Sequence, residues 1–288
     1  MIIARIRPPF RSRSLKWLTV FFMPCCVPSM PWCDSHAAEI RPSTPAVMSS
    51  KALPPIAESV VRGRAFLTNL FDASVDLLPE FRGSHTYWLF HDNYLAAHAL
   101  AATRPDLSQR IRSALGRFGI TNSGKIEIVF DEAPRPLPFR AYHLTDVATV
   151  DGRKIRTEVV TTNIMQGWES YADLLLLASI AQSRGAPGEA RRNFDRATAM
   201  WDGRGFQDPA TRRHGIYATY KLALYLIAAD RLALSPPLAT DVLAQLRALQ
   251  ASDGGWRTDY NAAGPQGLTN VETTCLALRA LETFQRPR

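Results

Sequence analysis

Four segments of this 288-residue chain can be laid in one register: Asp92-Asn93-Tyr94-Leu95-Ala96, Glu169-Ser170-Tyr171-Ala172-Asp173, Thr219-Tyr220-Lys221-Leu222-Ala223 and Thr273-Thr274-Cys275-Leu276-Ala277. Each lies early in an apolar, Ala- and Leu-rich stretch, and they begin 77, 50 and 54 positions apart. A period of about fifty residues suits one helical hairpin with its connections. Units of that size stack because none can bury its apolar face alone. The long first interval holds an insertion of a different character.

Apolar spacing of three to four predicts helices over 57–71, 87–103, 107–118, 167–183, 188–200, 217–232, 238–249 and 271–284. The stretch 217–232 is apolar around most of its circumference and should lie inside, whereas 188–200 is amphipathic and should lie outside. Between them, Ile126, Ile128 and Phe130 alternate, and Asp151-Gly152 sits among β-branched residues. The pair favours a tight hairpin turn, because both residues accept positive φ. A β insertion is expected at about 124–162, with Pro134, Pro136 and Pro138 in a connecting loop.

The amino terminus differs in kind. Arg5, Arg7, Arg11, Arg13 and Lys16 precede an apolar run from Trp17 to Val27, and Ser35, Ala37 and Ala38 are small enough for cleavage. The segment 1–38 reads as a signal peptide and 39–55, rich in Pro, Ser and Ala, as a linker. Its removal would take away half of the formal charge of +8. An exported protein, periplasmic or extracellular, is expected, with no stable membrane insertion after cleavage. No stripe of Lys and Arg with interleaved aromatics is present, which argues against a nucleic-acid partner. Of four cysteines only Cys275 lies beyond residue 38, so neither an internal disulfide nor a multi-cysteine zinc site is expected. No metal or cofactor is expected either, since His85, His91 and His98 are spaced by six and seven and do not share a helix face.

The stretch Gln250-Ala251-Ser252-Asp253-Gly254-Gly255-Trp256, with the apolar helix from Val271, resembles the QW-type repeats of terpenoid cyclases and the hairpins of prenyltransferase-like toroids. Gln250, Gly254 and Trp256 stand at the matching positions. The resemblance implies a mainly α fold, an α/α toroid over 56–288 carrying one β-hairpin insertion. It carries over no activity: the Asp-rich motif of squalene cyclisation, the Asp, Cys and His zinc set of protein prenyltransferases and the Cys-Gly-Glu-Gln thioester sequence are all missing. The general layout is similar to that of carbohydrate-active toroids.

In that layout the register puts Asp92 and Glu169 at one level of a central funnel. Paired carboxyl groups are what glycoside hydrolysis needs, one to protonate the leaving oxygen and one to activate water or attack the sugar. Around them stand His85, Tyr87, Trp88, Asn93, Trp168 and Tyr171, with Tyr217 and Tyr220 in the third repeat; aromatic faces beside polar groups suit sugar rings. The expectation is a glycoside hydrolase with Asp92 and Glu169 catalytic and a glycan in the funnel. Acidic residues also brace helix starts, so the competing class is a non-catalytic envelope protein binding a glycan, peptide or protein. A polysaccharide lyase using Arg140, Tyr142 and His143 of the β insertion is the third. Asn270 is read as a helix cap, with Glu272 complementing the dipole behind it.

Overall fold

The computed structural model describes residues 53–119, 124–130, 137, 139–210 and 215–284. Eight α-helices and six strands occur among them: α1 (Ile56–Leu70), β1 (Thr86–Trp88), α2 (Leu95–Leu100), α3 (Pro105–Arg117), β2 (Arg140–Val150), β3 (Arg153–Ile164), α4 (Ala172–Gln182), α5 (Pro187–Thr198), β4 (Tyr217–Ala218), α6 (Thr219–Arg231), α7 (Ala239–Ala248), β5 (Trp256–Asn261), β6 (Gly264–Asn270) and α8 (Val271–Thr283). A π-helical turn, Leu89–Tyr94, links β1 to α2. The export segment 1–38, nearly all of the linker 39–55 and the three prolines at 134, 136 and 138 lie outside the described residues.

The helical core follows the apolar periodicity. Every residue of α4 from Ala172 to Ile180 is buried, as is α6 from Lys221 to Ala229, because neither sequence presents a polar face. The amphipathic α5 buries only Ala190, Asn193, Phe194 and Ala197. Helix α6 packs against α4, α7 and α8, while α8 also meets α1 and α2. One continuous hydrophobic cluster joins them, from Phe66 and Leu67 through Leu175 and Leu226 to Leu281.

The expected mainly α toroid with one β-hairpin insertion is corrected by two three-stranded sheets, which make the fold an open mixed α/β arrangement. In the first sheet β3 lies between β2 and β1, antiparallel to β2 and parallel to β1. Asp151 and Gly152 turn β2 into β3 with φ of 48° and 77°, the left-handed conformation that a two-residue hairpin turn requires. The alternation at 126–130 does not give a strand: Glu127–Phe130 is a 3-10 turn, with Ile126, Ile128 and Val129 all buried. A strand would send successive side chains to opposite faces, and here both apparent faces meet the core.

The second sheet, in the order β4-β5-β6, has no apolar alternation to announce it. Strand β6 reads Gly264-Pro265-Gln266-Gly267-Leu268-Thr269-Asn270 and is mostly exposed. Backbone pairing with β5, rather than burial, makes it a strand. It occupies what reads in sequence as a short loop between the Trp256 turn and α8.

The Gln250–Trp256 segment clamps the first helix to the last. Gln250 Nε2 donates to the Ser59 carbonyl and the Gly254 carbonyl, both at 2.9 Å, and Arg62 donates to the Ala251 carbonyl at 2.7 Å. Trp256 is fully buried, with Nε1 donating to the Leu246 carbonyl at 2.9 Å. Gly254 has φ +92°, and a Cβ there would lie 2.4 Å from the Arg62 carbonyl oxygen. Only glycine admits that approach.

Candidate functional site

The start of α8 is where the elements carrying ionisable side chains meet. Asn270 caps it, accepting from Thr273 N–H at 2.9 Å. Val271 N–H donates to the Glu80 carbonyl at 3.0 Å, and Glu272 N–H donates to the Asp92 carboxyl. Three of the amides that a helix N-terminus leaves without intrahelical partners are thus satisfied, one by the cap and two by distant segments of the chain. This draws Glu80, Asp92 and Glu272 together.

Asp92 is 1% exposed, and its Oδ2 is buried without a hydrogen-bond partner. Burial, then the negative charges of Glu80 and Glu272, hold its pKa well above the usual aspartate value against the opposing pull of His91. Glu80 is raised too, again by burial first, although the Trp88 side chain hydrogen-bonds it.

His91, next to Asp92 on the π turn, bridges two carboxylates. Nε2 is 2.6 Å from Glu158 Oε1 on β3, and Nδ1 is 3.3 Å from Glu272 Oε1. Burial opposes its positive charge, but the Glu158 and Glu272 carboxylates outweigh burial and keep the imidazolium form well above its ordinary range. Lys125 Nζ lies 3.3 Å from the same Glu158 oxygen and 4.2 Å from the centre of the Tyr142 ring. For Glu158, burial alone would raise the pKa; Lys125 and His91 overcome it and bring the value to about 2.

The starts of α4 and α6 add a second group. Tyr220 donates to Asp173 Oδ2 at 3.1 Å, and burial followed by the charges of Asp173 and Glu272 raises the phenol well above its ordinary value. Asp173, Tyr220 and Glu272 are each the second residue of their helix. Beside them Lys221 forms a buried ion pair with Asp208, which also accepts from Ala172 N–H at 3.2 Å.

The residues expected from sequence distribute unevenly around this centre. Asp92 is in it, Trp88 and Tyr220 border it, and half-buried Tyr171 is close enough to Asp208 and Asp173 for their charges to raise its pKa after burial. Glu169 stands in a 3-10 turn, Trp168–Ser170, where its carbonyl accepts from Arg196; the carboxyl groups that face Asp92 are Glu80 and Glu272. Asn93 is a bracket, its amide bonded to both backbone groups of Leu78 and to the Trp88 carbonyl. Tyr87 donates to Asp72, which also holds Arg153, and Tyr217 donates to Asp202 while stacking on Tyr260. Trp168 packs edge-on against Phe139, and His85 is exposed. Arg140 and His143 are exposed on β2.

Sequence reasoning missed Glu80, Lys125, Glu158 and Asp173. Asp173 lies four residues after Glu169 in the same aligned segment, at the start of α4, so a register set by the helix start would have found it. Glu272 was visible, but its place behind a cap explained it without a site. Lys125 and Glu158 carry no periodic signal. Among the described residues, no group of three or more His, Cys, Asp or Glu is arranged to hold a metal ion. Comparison with family models, curated proteins and solved structures gives no match.

Proposed function

We propose that the protein is an exported glycan hydrolase in which Asp92 and Glu272 are the two working carboxyl groups. The observation that carries this reading is the contrast between them. Asp92 is buried, holds its proton to a higher pH than an ordinary aspartate and has an oxygen without a partner, while Glu272 keeps 14% of its side chain exposed and is paired with the His91 imidazolium. A buried carboxyl group held in its protonated form beside a more accessible carboxylate has the make-up of an acid and base pair.

In this reading Asp92 donates its proton to the glycosidic oxygen as the bond to the anomeric carbon breaks, and Glu272 activates water or attacks that carbon. His91, fixed by Glu158, orients Glu272. Trp88 and Tyr220 offer flat surfaces for sugar rings beside the pair. The export part rests on the basic and apolar character of residues 1–38.

The test is release of new reducing ends from a panel of α- and β-linked oligosaccharides. The wild type should cleave at least one, and Asp92→Asn and Glu272→Gln should each lower kcat by about 10²-fold or more while binding persists. Binding of a glycan without turnover by the wild type rejects hydrolysis in favour of a binding protein. Unsaturated products, with activity indifferent to both substitutions, reject it in favour of a lyase.

A further inference from the structure

We propose that Asp173, Tyr220 and Glu272 form a subsite for a positively charged group of the ligand, the ammonium of an amino sugar. The sugar part rests on the glycan reading above; the charge does not. Asp173 is 4% exposed, and its Oδ1 is buried with no hydrogen-bond partner, while Oδ2 takes the Tyr220 hydroxyl at 3.1 Å. A buried acceptor left without a donor is destabilising, and a ligand donor would relieve that cost.

The described cations nearby are already engaged. Lys221 pairs with Asp208, His91 lies between Glu158 and Glu272, and Lys125 pairs with Glu158. Asp173 is in no ion pair among the described residues. The negative charges of Asp173, Glu272 and Asp208 all reach the Tyr220 phenol, and its hydroxyl is bonded to Asp173. An ammonium there would donate to Asp173 Oδ1, feel the Glu272 carboxylate and lie against a phenol ring, a combination that a neutral hydroxyl matches only in its hydrogen bond. Glu272 belongs to this subsite and to the acid and base pair, which sets the charged group close to the bond that would be cleaved.

The experiment compares the β-1,4-linked tetramer of glucosamine with the same tetramer of glucose, in which a hydroxyl replaces each ammonium. By calorimetry on the full folded protein, the aminated tetramer should bind at least tenfold more tightly than the glucose tetramer, and Asp173→Asn should bring the ratio of the two affinities close to one. Tyr220→Phe, which keeps the ring and frees Asp173 Oδ2, should retain the preference. Equal affinities, no binding of either tetramer, or a preference that survives Asp173→Asn would overturn the subsite. Displacement of the aminated tetramer by micromolar Ca²⁺ or Mg²⁺ would overturn it too, in favour of a metal site. Selective binding without cleavage keeps the subsite and rejects the hydrolase; cleavage of both tetramers at equal kcat/KM keeps the hydrolase and rejects the subsite.

Discussion

Glu158 Oε1 accepts from both His91 Nε2, at 2.6 Å, and Lys125 Nζ, at 3.3 Å, so one carboxylate oxygen on β3 is shared by two buried cations from different parts of the chain. Removing that charge leaves both cations with too little compensation. Glu158→Gln should destabilise the fold by about 3–5 kcal/mol, as breaking a buried pair does. Denaturant unfolding measures this, and a loss under about 1 kcal/mol would show that the triad contributes little.

The same triad sets the acid limb of stability. Glu158 has its pKa depressed to about 2, so its contribution is present above the unfolded value of about 4.3 and is lost as pH falls through about 2. Wild-type stability should drop across that window, and Glu158→Gln should drop less. For His91 the sign is reversed: its raised pKa makes a contribution that is full below about pH 6.5 and fades only as pH climbs through the folded value. An NMR titration should find the His91 ring still protonated at pH 7 in the wild type and titrating lower in Glu158→Gln.

Asp92 works against stability at neutral pH. Its raised pKa gives a contribution present below the unfolded value of about 3.9 and lost as pH rises toward the folded one. Asp92→Asn keeps an acceptor for the Glu272 N–H and carries no proton to lose. The variant should therefore gain on the wild type as pH goes from 4 to 8, by about 1 kcal/mol or more at the upper end. Thermal melts at three pH values decide it, and a difference independent of pH would mean that Asp92 is not held protonated.

Gly254→Ala should cost more than about 1 kcal/mol, since it puts a Cβ 2.4 Å from the Arg62 carbonyl at φ +92°. Trp256→Ala should cost about 3–5 kcal/mol through the cavity it opens between α1, α7 and α8. Hydrogen exchange should then show α1 opening first in both variants. Protection of α1 equal to that in the wild type would mean that the clamp is not what holds it.

Lys221→Met should cost about 3–5 kcal/mol by leaving the Asp208 carboxylate buried without its lysine. Adding Asp208→Asn should restore at least half of that loss in urea unfolding, because the amide keeps an acceptor for the Ala172 N–H. Additive losses would show that the two residues act separately.

Helices were legible because their signal is local. The apolar spacing that predicts 217–232 and 271–284 is the spacing that buries α6 and α8, and Asn270 reads as a cap because its side chain acts on an amide three residues on. The Asp151–Gly152 turn is local in the same way. Sequence by itself thus determined roughly where most helices run, that α6 is apolar almost all round and where the first hairpin turns, but the helix expected over 87–103 begins as strand β1 and a π turn and is α-helical only over Leu95–Leu100.

Tertiary structure decided the rest. Strand β6 is made by backbone pairing with β5, a contact that side-chain pattern does not encode, and so an expected helical toroid became a mixed fold with two sheets. The candidate site follows the same rule: Asp92 stands out in sequence, but the charges grouped around it do not, because Glu158 stands 67 residues from His91 and Glu272 stands 181 away. Proton affinity in a buried centre depends on which charges the fold brings within a few ångströms, and that distance exists only once the sheets and the start of α8 have come together.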